Sequence, residues 1–191
     1  MLKIAENHFV NGNKVKPPYP DNHKRLIVGM GCFWGAERMF WQQRGVYSTS
    51  AGYSAGKTTD PTYRDVCSGT TDHAEVVLVI YDSQKLYLEN LLQIFWEGHD
   101  PTQFMRQGND LGSQYRSIIF YDDDHVHEKI EASRDQYQIE LNKAGFGEIT
   151  TEIKPSEDFF YAEDYHQQYL AKNPGGYCGL GGTGIKCTPK G

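Results

Sequence analysis

The chain has 191 residues, with 19 Lys and Arg against 25 Asp and Glu, for a formal net charge of −6. That balance argues against general nucleic-acid binding, which needs a basic face for phosphate, and against polybasic attachment to anionic lipid. Hydrophobic residues make up 38%, with 13 Tyr, 9 Phe and 3 Trp, too many for a disordered chain, and the length suits one domain with a sizeable core.

Residues 1–23 are polar and carry Pro17, Pro18 and Pro20. Proline fixes φ and removes a donor, so this segment reads as an extended arm. It lacks the apolar stretch of a secretory signal, and the longest aliphatic run, Val76 to Ile80, is far too short for a membrane span. A cytoplasmic location is the expectation. Leu26-Ile27-Val28 reads as a buried strand ending in a turn built on Gly29, Gly31 and Cys32. Phe33, Trp34, Met39, Phe40 and Trp41 recur at roughly helical spacing up to about Arg44, and Gly45 is a helix stop. Val46 to Tyr53 reads as a strand. Residues 54–73 are rich in Gly, Ser, Thr and Asp and form a long loop, usually a functional feature in a compact domain.

Ala74 to Tyr81 reads as a buried strand, Ser83 to Glu97 as a helix, 98–114 as a second long loop, and Tyr115 to Tyr121 as a strand. Val126, Ile130, Tyr137 and Leu141 mark the next helix. The acidic run Asp122 to Asp124 sits at its start, where the helix dipole favours negative charge, and Gly145 ends it. A short strand follows, then a helical stretch from after Phe159 to about Lys172. The order implies an α/β (α+β) chain of the ferredoxin-like, split βαβ type, a two-layer sandwich. Beyond it lies a glycine-rich tail, with six of the 20 glycines between Gly175 and Gly184. Such a backbone is irregular and mobile. The whole is read as one catalytic domain, with an arm (1–23), a core (24–172) and a redox-active tail (173–191).

Four cysteines remain: Cys32, Cys67, Cys178 and Cys187. In a long chain without an export signal, catalytic or redox use is a better reading than two structural disulfides. Cys32 lies between a strand end and a helix start, where orphan N–H groups and the helix dipole favour the nucleophilic thiolate. From position alone a small buried hydrophobe fits as well. Phe33 and Trp34, directly after it, could line an apolar pocket beside the sulfur.

Gly31-Cys32-Phe33-Trp34-Gly35-Ala36-Glu37 resembles the signature of the A-type peptide methionine sulfoxide reductases. Pro61-Thr62-Tyr63, Val66-Cys67-Ser68-Gly69, His73-Ala74-Glu75-Val76, His99-Asp100-Pro101-Thr102-Gln103, Asn109 to Ser117, Ala162 to Leu170 and Gly176-Tyr177-Cys178-Gly179 resemble the family in the same order. The resemblance implies reduction of the methionine S-sulfoxide, free or in proteins, through a cysteine sulfenic acid. It implies Cys32 as nucleophile, with Phe33 and Trp34 as the pocket for the methyl group. Glu75, in an apolar strand that would raise its pKa, is the implied acid. Tyr63 and Tyr115 are implied hydroxyl donors to the sulfoxide oxygen. Asp110 and His166 are implied supporting residues at the substrate.

Cys178 would condense with the sulfenic acid, and Cys187 would move the disulfide to Cys178–Cys187 for reduction by a thioredoxin-type dithiol. Cys67 has no catalytic demand left and reads as a partly buried structural thiol. No prosthetic group and no metal are expected, only an external reductant such as thioredoxin or dithiothreitol. Methionine sulfoxide and thioredoxin are the expected partners, and the chain is expected to be a monomer. A Cys–His hydrolase would leave the tail cysteines unexplained, and a zinc module would need paired ligands that the sequence lacks.

Overall fold

The structure is a computed structural model and describes residues 3–187. The chain runs β1 (His23–Met30), α1 (Phe33–Trp41), β2 (Val46–Ser54), α2 (Tyr63–Cys67), β3 (Ala74–Asp82) and α3 (Leu88–Gly98). The two-residue strands β4 (Arg106–Gln107) and β5 (Asp110–Leu111) form a hairpin. Then come β6 (Ser117–Tyr121), α4 (Asp124–Lys143), β7 (Glu152–Pro155), β8 (Phe160–Tyr161) and α5 (Tyr169–Lys172). Six strands make one sheet in the order β7-β6-β1-β3-β2-β8. Every neighbouring pair is antiparallel except β6–β7, which is parallel.

Alternation along the strands decides which residue meets which layer. All nine residues of β3 are buried. Val77, Val79 and Tyr81 join Leu26, Val28 and Met30 of β1 in the core shared with helices α1, α3 and α4. Ala74, Val76, Leu78 and Ile80 join Ile27, Ile118 and Phe120 on the opposite face, covered in part by Tyr19, Tyr47 and Phe159. Glu75 has the parity of Val77 and Val79, so it faces the helices. Phe40 of α1, Phe95 and Trp96 of α3 and Tyr137 of α4 fill that layer.

Several expectations need correction. The loop 54–73 contains α2, capped by Thr62, whose hydroxyl accepts from Asp65 N while Asp65 Oδ2 accepts from Thr62 N. The helix read from Ser83 begins at Leu88, because 83–87 turns on the Asp82 carbonyl and carboxyl. Tyr115 closes a 3₁₀ turn, Ser113–Tyr115, and the strand starts at Ser117. The helix read from Phe159 to Lys172 shrinks to the four residues of α5, preceded by β8. The Gln167 and Gln168 side chains bond the backbone of β2, and Gln168 takes a left-handed φ of 47°, both incompatible with a continuous helix.

The acidic run behaves as a cap: Asp123 Oδ1 accepts from Val126 N at 2.8 Å, and Asp122 pairs with Arg25. Gly145, at φ 82°, follows the end of α4. The N-terminal arm carries one isolated bridge, Asn7–Lys14, and buries Ile4, His8 and Val15. The tail has no regular element, yet it lies down along the helices. Leu180 packs beside Gly31 and Gly35, and Tyr137 Oη shares a hydrogen bond with Thr183 and donates to Ile185 O. Residues 188–191 lie outside the described residues. Among the described residues no helix is long and apolar enough to cross a membrane.

Gly29 is where β1 approaches the strand that bears Glu75. A Cβ there would sit 2.7 Å from Ile118 Cγ2 and 2.9 Å from the Glu75 main-chain oxygen. Gly29→Ala should therefore lower unfolding free energy by roughly 1–3 kcal/mol, read from urea midpoints. A midpoint equal to that of the parent chain would mean that the sheet relaxes without cost.

Candidate active site

Cys32 stands at the N-cap of α1 and is 6% exposed. Its own side chain caps nothing. The first orphan donor of the helix, Phe33 N, is instead satisfied from across the core: it donates to Glu75 Oε2 at 3.0 Å. One contact thus ties the carboxyl of β3 to the turn that carries the thiol. Burial pushes the Glu75 carboxyl up to about 8, against the Phe33 N–H, which favours the charged form. At neutral pH Glu75 is a protonated acid.

The thiol differs from the sequence expectation. Burial first, and the Glu75 charge second, push Cys32 up to about 12, and the Trp34 and Gly35 backbone N–H groups oppose this without overcoming it. The helix N-terminus is present as expected, but it competes with desolvation and loses. The site holds a protonated thiol beside the Glu75 carboxyl. The Glu75 contribution vanishes when that carboxyl carries its proton.

Cys32, Phe33, Trp34, Tyr63, Glu75, Asp110, Tyr115 and Tyr177 line one cavity of about 90 Å³. That equals about three water volumes at ~30 Å³ each, room for a small polar head and a methyl group. Seven of these eight residues are ones the sequence singles out. The eighth, Tyr177, comes from the tail, and its hydroxyl donates to Asp110 Oδ1 at 3.3 Å. Its place beside Cys178 in the Gly176 to Gly179 motif was the available signal. A wider groove of about 820 Å³ lies on the other side of the sheet, lined by Leu78, Ile80, His73 and Phe159, and holds none of the predicted site residues.

Each lining group is held by its own element. Tyr63 opens α2, with its N–H donating to Glu163 Oε1 at 2.8 Å and its ring stacked on Phe33. Glu163 also accepts from Tyr53 Oη at 3.0 Å, a role that sequence reasoning did not assign. Burial raises both Tyr63 and Tyr115 above the usual phenol range, so both remain donors at any ordinary pH. Asp110 rides on the β4–β5 hairpin, which Gln107 anchors through two hydrogen bonds to the Asp100 backbone.

His166 is not among the lining residues. It lies behind Trp34, buried, and its Nδ1 accepts from Trp34 Nε1 at 3.0 Å. Its Nδ1 is therefore unprotonated, consistent with burial lowering its pKa to about 4.

All four cysteines are free thiols. Cys178 lies on the first turn of α1, where a Cβ on Gly35 would be 3.0 Å from its sulfur and Arg38 Nη2 donates to that sulfur at 3.1 Å. Cys187 is elsewhere. It is buried among the core residues near α3 and α4, its N–H donates to Glu97 Oε1 at 2.9 Å, and burial raises its thiol to about 11. Cys67 is exposed, not partly buried as expected, because α2 turns Val66 inward and Cys67 out. Among the described residues no group of three His, Cys, Asp or Glu is placed to hold a metal ion.

The family model "Peptide methionine sulfoxide reductase" matches residues 24–185. A peptide methionine sulfoxide reductase MsrA of Azotobacter vinelandii is 60% identical over 188 residues, covering 98% of this chain and 87% of the relative. The solved methionine sulfoxide reductase A of Corynebacterium diphtheriae is 41% identical, covers 93% of this chain and 86% of its own, and has a TM-score of 0.82. Mxr1 of Saccharomyces cerevisiae in reduced form is 34% identical, covers 87% and 94%, and has a TM-score of 0.79. In complex with Trx2 the Mxr1 structure aligns at 24% identity with a TM-score of 0.56, a likeness of fold. A buried thiol, an acid and two phenols around one small cavity stand within a match of this extent, and the chain belongs to the peptide methionine sulfoxide reductase family, A type, enzymes that reduce methionine sulfoxide.

Proposed function

We propose that the chain reduces the S epimer of methionine sulfoxide, free or within proteins, with Cys32 as nucleophile and Glu75 as acid. The observation that carries this is the shared cavity, where a protonated carboxyl, two phenol donors and a thiol face the same space. Phe33 and Trp34 receive the methyl group. Tyr63 and Tyr115 donate to the sulfoxide oxygen and stabilise its developing charge. Asp110 supports the site through its hydrogen bond with Tyr177. A wall that accepts methyl on one side and donors on the other rejects the opposite epimer, in which these groups exchange places.

Because Cys32 starts as a thiol, its proton leaves as its sulfur attacks. Glu75 hands a proton to the oxygen and takes up the proton of the thiol. The oxygen passes to Cys32, giving the sulfenic acid S–OH, and the methionine sulfur keeps the electron pair. The Cys178 thiol then displaces that oxygen as water and forms the Cys32–Cys178 disulfide. The Cys187 thiol attacks the Cys178 sulfur, releasing the Cys32 thiol and leaving Cys178–Cys187. A thioredoxin dithiol reduces that bond and becomes a disulfide itself. The relay requires Cys187 to leave its buried position, and the six glycines from 175 to 184 supply the backbone freedom.

No prosthetic group enters the scheme, since the thiols carry both electrons. The antiparallel run β6-β1-β3-β2, with α1 and α3 crossing over, supports the ferredoxin-like reading, with β7 and β8 added at the two edges. We place the activity in one domain of arm, core and tail, acting as a monomer in the cytoplasm.

Incubating the reduced protein with a blocked methionine S-sulfoxide and no reductant should yield about one methionine for two thiols lost. Cys32→Ser should abolish both, and retained activity in that variant would refute the mechanism. Cys187→Ser should keep the first turnover and lose recycling by thioredoxin.

Glu75 must be protonated to act, so the rate should be flat below pH about 8 and fall above it. Glu75→Gln should cost about 10²–10⁴-fold in rate with the fold intact by circular dichroism. An alkaline limb that persists unchanged in this variant would remove Glu75 as the acid.

A further inference from the structure

The Trp34 ring is held on two sides. Its Nε1 donates to His166 Nδ1, and Tyr169 stacks on it with ring centres 3.9 Å apart and planes 18° apart. His166 and Tyr169 flank Gln168, the residue with φ 47° and ψ 42°. That left-handed conformation is unfavourable for a residue with a Cβ and persists only where its surroundings impose it.

What imposes it is a buried carboxyl group on the same helix as Trp34. Glu37, three residues on and 0% exposed, accepts Gln168 N at 2.8 Å on Oε2. On Oε1 it accepts Gln168 Nε2 at 2.7 Å and Thr49 Oγ1 at 2.9 Å. The arm closes the cluster, with His8 Nε2 on Thr49 Oγ1 at 2.9 Å and Phe9 N donating to Gln168 Oε1 at 3.0 Å. Three donors converge on Glu37: Gln168 N, Gln168 Nε2 and Thr49 Oγ1. A carboxylate accepts all three, which opposes the burial that raises its pKa to about 7, whereas an amide would turn its NH2 toward at least one of these donors.

We propose that Glu37 is a positioning residue for the reaction: by fixing Gln168 it sets His166 and Tyr169 against Trp34 and so shapes the wall that receives the methyl group. This rests on Trp34 acting as that wall. The carboxylate touches no reacting atom. It links the nucleophile's helix to the 163–169 segment behind the pocket, and the N-terminal arm buttresses the link.

The test is steady-state kinetics on the full chain with a blocked methionine S-sulfoxide and dithiothreitol. A displaced wall weakens ground state and transition state alike, so Glu37→Gln should raise KM by about tenfold with kcat changed by less than about threefold. The near-UV circular dichroism of the tryptophans should change with it. In a Trp34→Ala background the same substitution should change KM by less than about twofold, since coupled residues are non-additive.

An unchanged KM in Glu37→Gln, or the same factor in both backgrounds, overturns the proposal. If Glu37→Gln does not fold, Thr49→Val, which removes one donor and leaves both Gln168 contacts, is measured the same way. Its expected rise of about two- to fivefold must also vanish without Trp34. Trp34→Ala with an unchanged KM would instead refute the wall itself, and the role of Glu37 with it.

Discussion

The site depends on one hydrogen bond, from the Phe33 N–H at the start of α1 to the Glu75 carboxyl on β3. A helix start leaves donors without partners, and a buried carboxyl without a partner is costly. Each meets the need of the other. The contact exists only because β3 lies at the centre of the sheet with its odd-numbered residues facing the helices, and because β1 delivers Cys32 to the mouth of α1 directly beside it. The order of strands in the sheet therefore places an acid and a thiol at one point, though 43 positions separate them in the chain.

Burial then sets the protonation of both. The same low-dielectric surroundings raise the carboxyl to about 8 and push the thiol up as well, to which a charged Glu75 would add. The usual order of acidity is kept, but both groups hold protons at neutral pH. In the proposed mechanism the two proton transfers are coupled when a polar S=O group enters the cavity. The helix dipole alone would suggest the opposite resting state. Desolvation of the buried sulfur outweighs the two backbone N–H groups that favour the thiolate.

The tail meets two parts of the site at once. Tyr177 completes the wall of the cavity and bonds Asp110, while the next residue, Cys178, lies on the first turn of α1 under Arg38. Cys187 is docked on a different surface, between Glu97 and the core. In the proposed relay Cys187 must leave that surface and reach Cys178, which stays tethered to Cys32 until the disulfide is transferred.

Much of this was legible in the chain. Continuous apolar runs marked β1 and β3, β-branched and aromatic content marked β2, the Phe33–Trp41 pattern marked α1, and the acidic run at Asp122–Asp124 and Gly145 bounded α4 because caps and left-handed turns have local chemical signatures. The motifs brought Cys32, Glu75, Tyr63, Tyr115, Asp110, Phe33 and Trp34 into view, and these meet in the cavity. What local pattern could not carry was long-range. Residues 162–168 carry apolar and amide side chains at helical spacing, yet Gln167 and Gln168 spend their hydrogen bonds on β2 and Glu37, so the helix is only four residues long.

Likewise the dipole at Cys32 is a property of one turn, whereas its protonation depends on everything that excludes water from it. His166 sits in a motif, but only packing puts it behind Trp34 and not in the cavity. The sequence by itself determined which chemical groups are available and the order of the elements that carry them. The tertiary structure decided which of those groups share one desolvated space and which stand behind to hold them, because burial and hydrogen bonding between distant segments are properties of the folded whole.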